Sequence, residues 1–292
     1  MEVAVNLELK TLNVKQDITY FNTSNDSLDS IVLNDWNNAF AHKNTPLAKR
    51  FSDEFYRGFH LAKAADRGKT TILNLLDTNF MALEWERTDK NPDYITVKLG
   101  RKLAPGEKIE LHLTYISKIP NDKFTRFGFD QNGGMALKNW FISPARFEDH
   151  SFITYNNFNL DDIANAATSY EVAIKIPNPY SITTDLNLVA ADETNSEYKV
   201  YSFAGRNRTD ISLFIEKQNS FRTYSNESIE VTSNLKSKKI DEIQKAIIID
   251  RVASFTENFI GKYPHEKITI SQIDYGRNPF YGLNQLPSFI SP

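Results

Sequence analysis

The 292-residue sequence contains no cysteine. That excludes disulfides, thiol nucleophiles and cysteine-ligated metal sites, yet it fits reducing and oxidising compartments equally well. Localisation is therefore not readable from composition; a periplasmic or extracellular setting is favoured if a signal peptide has been removed, and a cytoplasmic one stays open. Glycine and proline are sparse, at 11 each, and no internal repeat or low-complexity tract occurs, which sets the chain apart from fibrous and disordered classes. Apolar runs are short. The longest of note, Ala246-Ile247-Ile248-Ile249, falls far below the roughly 20 residues that cross a bilayer, so no membrane span is expected, and no apolar signal stretch opens the chain. Long basic runs are also missing, and the formal net charge of -3 offers no general attraction for phosphate backbones. Nucleic acid is not expected as a partner.

What is present is a folded composition, 40% hydrophobic and 12% aromatic, arranged mostly with period two. Val3, Val5, Leu7 and Leu9 alternate with polar neighbours, as do residues 94–99, 109–115 and 170–176. Strands with one buried face give this pattern. Turn chemistry separates them at Asn25-Asp26, Ala104-Pro105-Gly106-Glu107, Gln131-Asn132-Gly133-Gly134 and Pro177-Asn178-Pro179. The expectation is a mainly β chain: an antiparallel saddle or sandwich over residues 1–215, followed by a short α+β segment over 216–292. One helix interrupts the β region, with Thr45 as N-cap, Pro46 at the first turn and Phe51, Phe55 and Phe59 predicted on one face. A second is predicted from Ile240, carrying Ile243, Ile247, Ile248, Val252, Phe255 and Phe259 and stopped by Gly261 and Pro264, with a strand at residues 268–273 after it. Both ends break off close to patterned sequence and read as trimmed.

Chemistry-bearing patterns are scarce. A helical zinc site of the HExxH kind needs two imidazoles one turn apart, whereas His265-Glu266 leads into Lys267-Ile268-Thr269-Ile270 and reads as a surface pair beside a turn. His42 and His60 are not spaced as metal ligands, His112 sits in an alternating strand and His150 in a polar loop. No Gly-x-Ser-x-Gly elbow, P-loop or dinucleotide glycine pattern occurs. Asp161-Asp162 and Glu148-Asp149 read as solvated carboxylates, and Gly205-Arg206-Asn207-Arg208 as a hairpin turn. No catalytic residue and no metal ligand is assigned to this chain.

Three segments, in order, nevertheless resemble the aminopeptidase N-like family of zinc metallopeptidases, the gluzincins. Residues 17–22 and 28–33 (Asp-Ile-Thr-Tyr-Phe-Asn and Leu-Asp-Ser-Ile-Val-Leu) look like the family's opening hairpin. Trp140-Phe141-Ile142-Ser143-Pro144, followed by Tyr170-Glu171-Val172-Ala173-Ile174-Lys175-Ile176-Pro177, is similar to its W-[FY]-P segment and Y-D-V-x-[IL]-x-[VI]-P strand. Gly261-Lys262-Tyr263-Pro264, a strand, and then Gly282-Leu283-Asn284-Gln285-Leu286-Pro287-Ser288 resemble the start of the catalytic domain with its substrate loop G-x-M-E-N-P-G-L.

The resemblance implies a saddle-shaped β domain, then the beginning of a thermolysin-like catalytic domain, cut short of the HExxH motif. It implies zinc in the remaining catalytic region of a parent protein and no cofactor in this chain. It also implies two partners, the remainder of that domain and a peptide substrate. Gly282, Leu283, Asn284, Gln285 and Leu286 would be the substrate-binding residues. Gln285 stands where the family has a Glu that binds the substrate's α-amino group, and an amide supplies no ion pair there. The competing reading is a pseudo-peptidase, a binding or scaffold module at a cell surface.

Overall fold

The computed structural model describes residues 1–125, 127–156, 165–237 and 239–275. Its first strands are β1 (Glu2–Asn6), β2 (Thr11–Phe21), β3 (Leu28–Asn34), β4 (Lys69–Leu76), β5 (Trp85–Thr88), β6 (Asn91–Leu103) and β7 (Lys108–Lys118). Short strands follow: β8 (Gly128–Phe129), β9 (Met135–Leu137), β10 (Ser143–Pro144), β11 (Phe147–Glu148) and β12 (Ser151–Phe152). Then come β13 (Thr168–Pro177), β14 (Ser181–Thr184), β15 (Asn187–Asp192), β16 (Tyr198–Arg208), β17 (Leu213–Glu216), β18 (Arg222–Ser225), β19 (Glu230–Ser233) and β20 (Lys267–Ile270). The helices are α1 (Pro46–Asp53), α2 (Gly58–Leu61) and α3 (Glu242–Phe259). The chain is mainly β, and among the described residues its strands pair antiparallel except β1 with β13 and β19 with β20.

Alternation builds the main layer directly. In β2, Leu12, Val14, Gln16 and Ile18 point inward while Asn13, Lys15, Asp17 and Thr19 stay exposed, and β7 and β13 repeat the pattern. These strands lie in a seven-stranded sheet ordered β15-β16-β13-β1-β2-β7-β4. Its inner face packs on the four-stranded sheets β10-β3-β6-β5 and β14-β17-β9-β8 through one continuous core. Leu12, Leu113 and Ile174 meet Ile31, Ile95, Leu137 and Leu213 there.

A buried polar node joins the layers. The Tyr115 hydroxyl donates to Gln16 Oε1 at 2.6 Å and accepts from the Ile142 N–H at 3.2 Å, and Gln16 Nε2 donates to the Ile142 carbonyl at 2.7 Å. Burial pushes the Tyr115 hydroxyl well above its ordinary pKa, so it stays a donor at any physiological pH. Where β3 leaves its sheet, Asp35 is buried between Thr70 Oγ1 at 2.6 Å and Arg87 at 2.5 Å. Desolvation favours its protonated form, and the guanidinium opposes that.

Three expectations need correction. Residues 45–59 do not form one helix. Thr45 caps α1 through the Ala48 N–H at 3.1 Å, but α1 ends after Asp53 in a Schellman closure. Tyr56 N–H bonds the Phe51 carbonyl, Phe55 N–H bonds the Ser52 carbonyl, and Phe55 takes φ 59. Phe55 is therefore 92% exposed while Phe51 and Phe59 are buried and meet edge-on at 5.4 Å.

Secondly, β2 and β3 are no hairpin. They enter different sheets because the Asn22 side chain turns the chain, donating to the carbonyls of Asp26 and Leu103. Thirdly, Arg206 and Arg208 lie on β16 rather than in a turn, with only Asn207 at φ 55.

Replacing Tyr115 by Phe keeps the ring but strands Gln16 Oε1 and the Ile142 N–H in the core. The expected loss is about 2–4 kcal/mol, read as a lower urea midpoint at unchanged m-value. An unchanged midpoint would show that the node does not hold the layers.

Candidate functional site

Beyond β17 the strands β18, β19 and β20 form a separate three-stranded sheet in that order. β19 and β20 pair in parallel, with Glu230 opposite Lys267 and Ser233 opposite Ile270. Parallel neighbours need a crossover, and α3 supplies it, completing a β-α-β unit. The helix starts on a capping box: Asp241 Oδ1 accepts from the Gln244 N–H at 2.8 Å and Gln244 Oε1 accepts from the Asp241 N–H at 3.0 Å. It ends at Gly261, whose φ of 136 suits glycine. Polar links tie it to the β18–β19 hairpin, from Tyr224 to Glu242, Asn226 to Asp250 and Ser228 to Glu257.

No residue of α3 is buried. Lys245, Ala246, Ile249, Ala253 and Thr256 are half-buried. Ile248, Val252, Phe255 and Phe259 recur at four-, three- and four-residue spacing and stay exposed, Phe259 to 76%, with Phe255 and Phe259 stacked at 4.7 Å. Ile243 and Ile247 are exposed on another side. The expected helix is present, and its apolar residues face solvent.

β20 is the terminal strand of its sheet among the described residues. An edge strand offers backbone N–H and C=O groups to an extended peptide. Its end is fixed by the Gln272 N–H on Asn234 Oδ1 at 2.7 Å and by the Lys236 N–H on Gln272 Oε1 at 3.1 Å. The candidate substrate residues Gly282, Leu283, Asn284, Gln285 and Leu286 lie outside the described residues, as do Asp161 and Asp162.

The histidines are dispersed. His60 Nε2 contacts Ser52 Oγ at 2.7 Å and the Ala48 carbonyl at 2.9 Å. His112 Nδ1 meets Asp17 at 2.6 Å beneath the stacked ring of Phe80, and His150 meets Asp26 at 2.8 Å. Glu148 pairs with Arg146. Among the described residues no three His, Asp or Glu side chains gather closely enough to share a metal ion, so the residues described do not fit a zinc centre.

One ionisable cluster was not visible in the sequence. Arg208, 7% exposed, donates to the Asp185 carbonyl at 2.9 Å and sits 3.9 Å from its carboxylate. Asp210 accepts from the Asn139 N–H at 3.2 Å, while its Oδ2 is buried without a partner. Burial pushes Asp210 up to about 6, against the pull of Lys138, and burial followed by the charge of Asp210 pushes Tyr170 up to about 12. The His265 ring is held below its ordinary value by desolvation and then by Arg208. The cluster thus lies where β16 and β17 approach the segment leading into β20, and Asn187 reaches Glu266 at 3.4 Å beside it.

No protein-family model matches the sequence, and no curated protein matches it. Solved structures do. The M1 zinc metallopeptidase of Deinococcus radiodurans superposes with a TM-score of 0.54 at 15% identity, over 92% of this chain and 54% of that one. A mutant of the M1 zinc metallopeptidase from the same organism, bound to a Tyr-Ser-Ala substrate, gives 0.55 at 15% identity with the same coverage. A two-domain M1 zinc metallopeptidase mutant bound to L-tryptophan gives 0.53 at 17% identity, again over 92% and 54%.

The chain has the fold of part of an M1 zinc metallopeptidase. It spans about half the length of the solved structures it matches, and at this identity the likeness is one of fold.

Asp210 gives this region a pH signature. Its folded pKa lies above its ordinary value, so the folded state holds the proton more tightly than the unfolded chain does. Stability therefore rises as pH falls through about 6 toward the usual carboxylate range near 4. Asp210→Asn is expected to flatten urea midpoints measured between pH 4 and 7; a wild-type midpoint that drops as the pH is lowered from 7 to 4 would contradict the assignment.

Proposed function

We propose that this chain is the front, non-catalytic portion of an M1-type zinc metallopeptidase with aminopeptidase-like action. In this reading residues 1–215 form the β saddle and residues 216–292 begin the thermolysin-like domain. The observation that carries it is the superposition over 92% of this chain but only 54% of M1 zinc metallopeptidases. The uncovered apolar stripe of α3 supports it, since an apolar stripe of this kind needs a covering layer, and the remainder of the catalytic domain is that layer. Zinc belongs to that remainder. The chain itself walls the cleft, with the β20 edge and the backbone of residues 282–286 alongside an extended peptide.

The second reading, a pseudo-peptidase used as a binding module at a cell surface, is favoured by one residue. Gln285 replaces the carboxylate that the family resemblance places against a substrate's α-amino group. Zinc analysis of the parent protein, with hydrolysis of aminoacyl reporter substrates, separates the two: stoichiometric zinc with turnover supports the peptidase, and a zinc-free, inactive parent supports the module.

Two further outcomes are expected. Changing Val252, Phe255 and Phe259 to Ser in this chain should lower binding of a hydrophobic dye and self-association while each change leaves the unfolding free energy from urea titration within about 0.5 kcal/mol, as for exposed sites. In the parent the same changes should cost several times more, and equal effects in both would argue against a covering domain. In an active parent, Gln285→Glu should raise kcat/KM for free over blocked N-termini by about 5- to 30-fold, from exchanging a neutral for a charge-assisted hydrogen bond. An unchanged ratio would remove Gln285 from the amine site.

A further inference from the structure

Four cations gather at one end of the seven-stranded sheet, on a chain whose net charge is -3. Lys69 at the start of β4 lies directly opposite Lys118 at the end of β7, and Lys118 is opposite Thr11 on β2. Lys10 sits in the turn before β2, and its carbonyl receives the Ile119 N–H at 2.9 Å. Arg67 stands two residues before Lys69, the first residue of β4. Like charges facing each other across a strand pair destabilise it, so this arrangement runs against the local rules that the rest of the sheet obeys.

Three of these cations are held in place by neutral groups. Lys118 Nζ donates to the Ala64 carbonyl at 2.7 Å, Arg67 donates to the Ala62 carbonyl at 3.3 Å, and Lys10 Nζ stands 3.9 Å above the ring of Phe129. Among the described residues none of the four forms an ion pair with a carboxylate. Arg67 Nε is buried and has no hydrogen-bond acceptor. Desolvation first, then the charges of Arg67, Lys10 and Lys69, lower the Lys118 pKa, with Asp66 alone of the nearby carboxylates pulling the other way. Three of the four cations are thus held in position, none of the four has a carboxylate within ion-pair distance among the described residues, and Arg67 keeps a spare buried donor.

We propose that Lys10, Arg67, Lys69 and Lys118 form a binding site for a multiply charged oxyanion bearing phosphate groups. A polyphosphate would bridge the opposed Lys69 and Lys118 and meet the Arg67 fork, exchanging repulsion for charge-assisted hydrogen bonds. A single-charge anion such as chloride only screens. The site lies on the sandwich itself and does not depend on the peptidase reading.

The test is thermal unfolding of this chain in tripolyphosphate against sodium chloride of equal ionic strength. A ligand at 100 times its Kd should raise Tm by about 5 °C beyond the chloride control. Lys69→Gln, at an exposed position, should raise Tm in chloride by relieving repulsion, yet weaken tripolyphosphate binding by about 5- to 10-fold, roughly one charge-assisted contact. Lys199→Gln, on β16, should alter neither. Vesicles of phosphatidylcholine with and without phosphatidic acid form the second arm. Binding of tripolyphosphate alone assigns a free ligand, and added capture by phosphatidic acid vesicles that Lys69→Gln abolishes assigns a lipid headgroup. Equal Tm in tripolyphosphate and chloride together with no vesicle capture, or a response that Lys69→Gln leaves unchanged, would overturn the site.

Discussion

The buried hydroxyl of Tyr115 is where the two layers of the sandwich are locked in register. The core it sits in is largely apolar and would tolerate sliding, because hydrophobic contact is non-directional. The hydroxyl bridges Gln16 on β2 and the backbone of Ile142, so the segment Trp140-Phe141-Ile142 sits at one depth against the seven-stranded sheet. From that depth Ser143–Pro144 pairs with β3, and β3 with β6, which sets the second layer. A satisfied polar group inside an apolar core costs little and selects one packing among many. The Asp35–Arg87–Thr70 group does the same where β3 leaves its sheet.

Much of this was legible in the sequence, for a physical reason. A strand with one wet face must alternate, so residues 94–99, 109–115 and 170–176 announce β6, β7 and β13 without reference to anything distant. Caps are equally local, and Thr45 with Pro46 marks the start of α1. What failed depends on partners far away in sequence or on rare backbone states. Phe55 at φ 59 ends α1 where periodicity alone carries the helix on to Phe59. Asn22 sends β2 and β3 to different sheets through a bond to Leu103. The Asp185–Arg208–Asp210 cluster unites residues from one strand and two connections, and no spacing rule brings Asp185 to the other two.

The candidate site was legible only through resemblance. Residues 282–286 carry a loop pattern and no periodicity, and their chemistry rests on what a family does at matching positions. The strands β18 and β19 carry no such signal, since Arg-Thr-Tyr-Ser and Glu-Val-Thr-Ser are too short to show alternation. Helix α3 shows the converse. Its periodicity foretold a helix, but Ile243 and Ile247 spread the apolar residues over more than one side. Such a helix fits between layers better than on the rim of one three-stranded sheet.

The position of β1 has a consequence for how the chain is made. In the finished sheet β1 is flanked by β2, its neighbour in sequence, and by β13, which pairs in parallel from residue 173 onward. A ribosome emits β1 and β2 almost together, but β13 follows only after some 170 residues. Throughout that interval one side of β1 has no strand to meet, and the central seam of the sheet stays open. High sequence separation of this kind slows folding, and an open strand edge in a nascent chain invites wrong pairing. Synthesis rate between β2 and β13, and whatever holds β1 during it, therefore bear on yield.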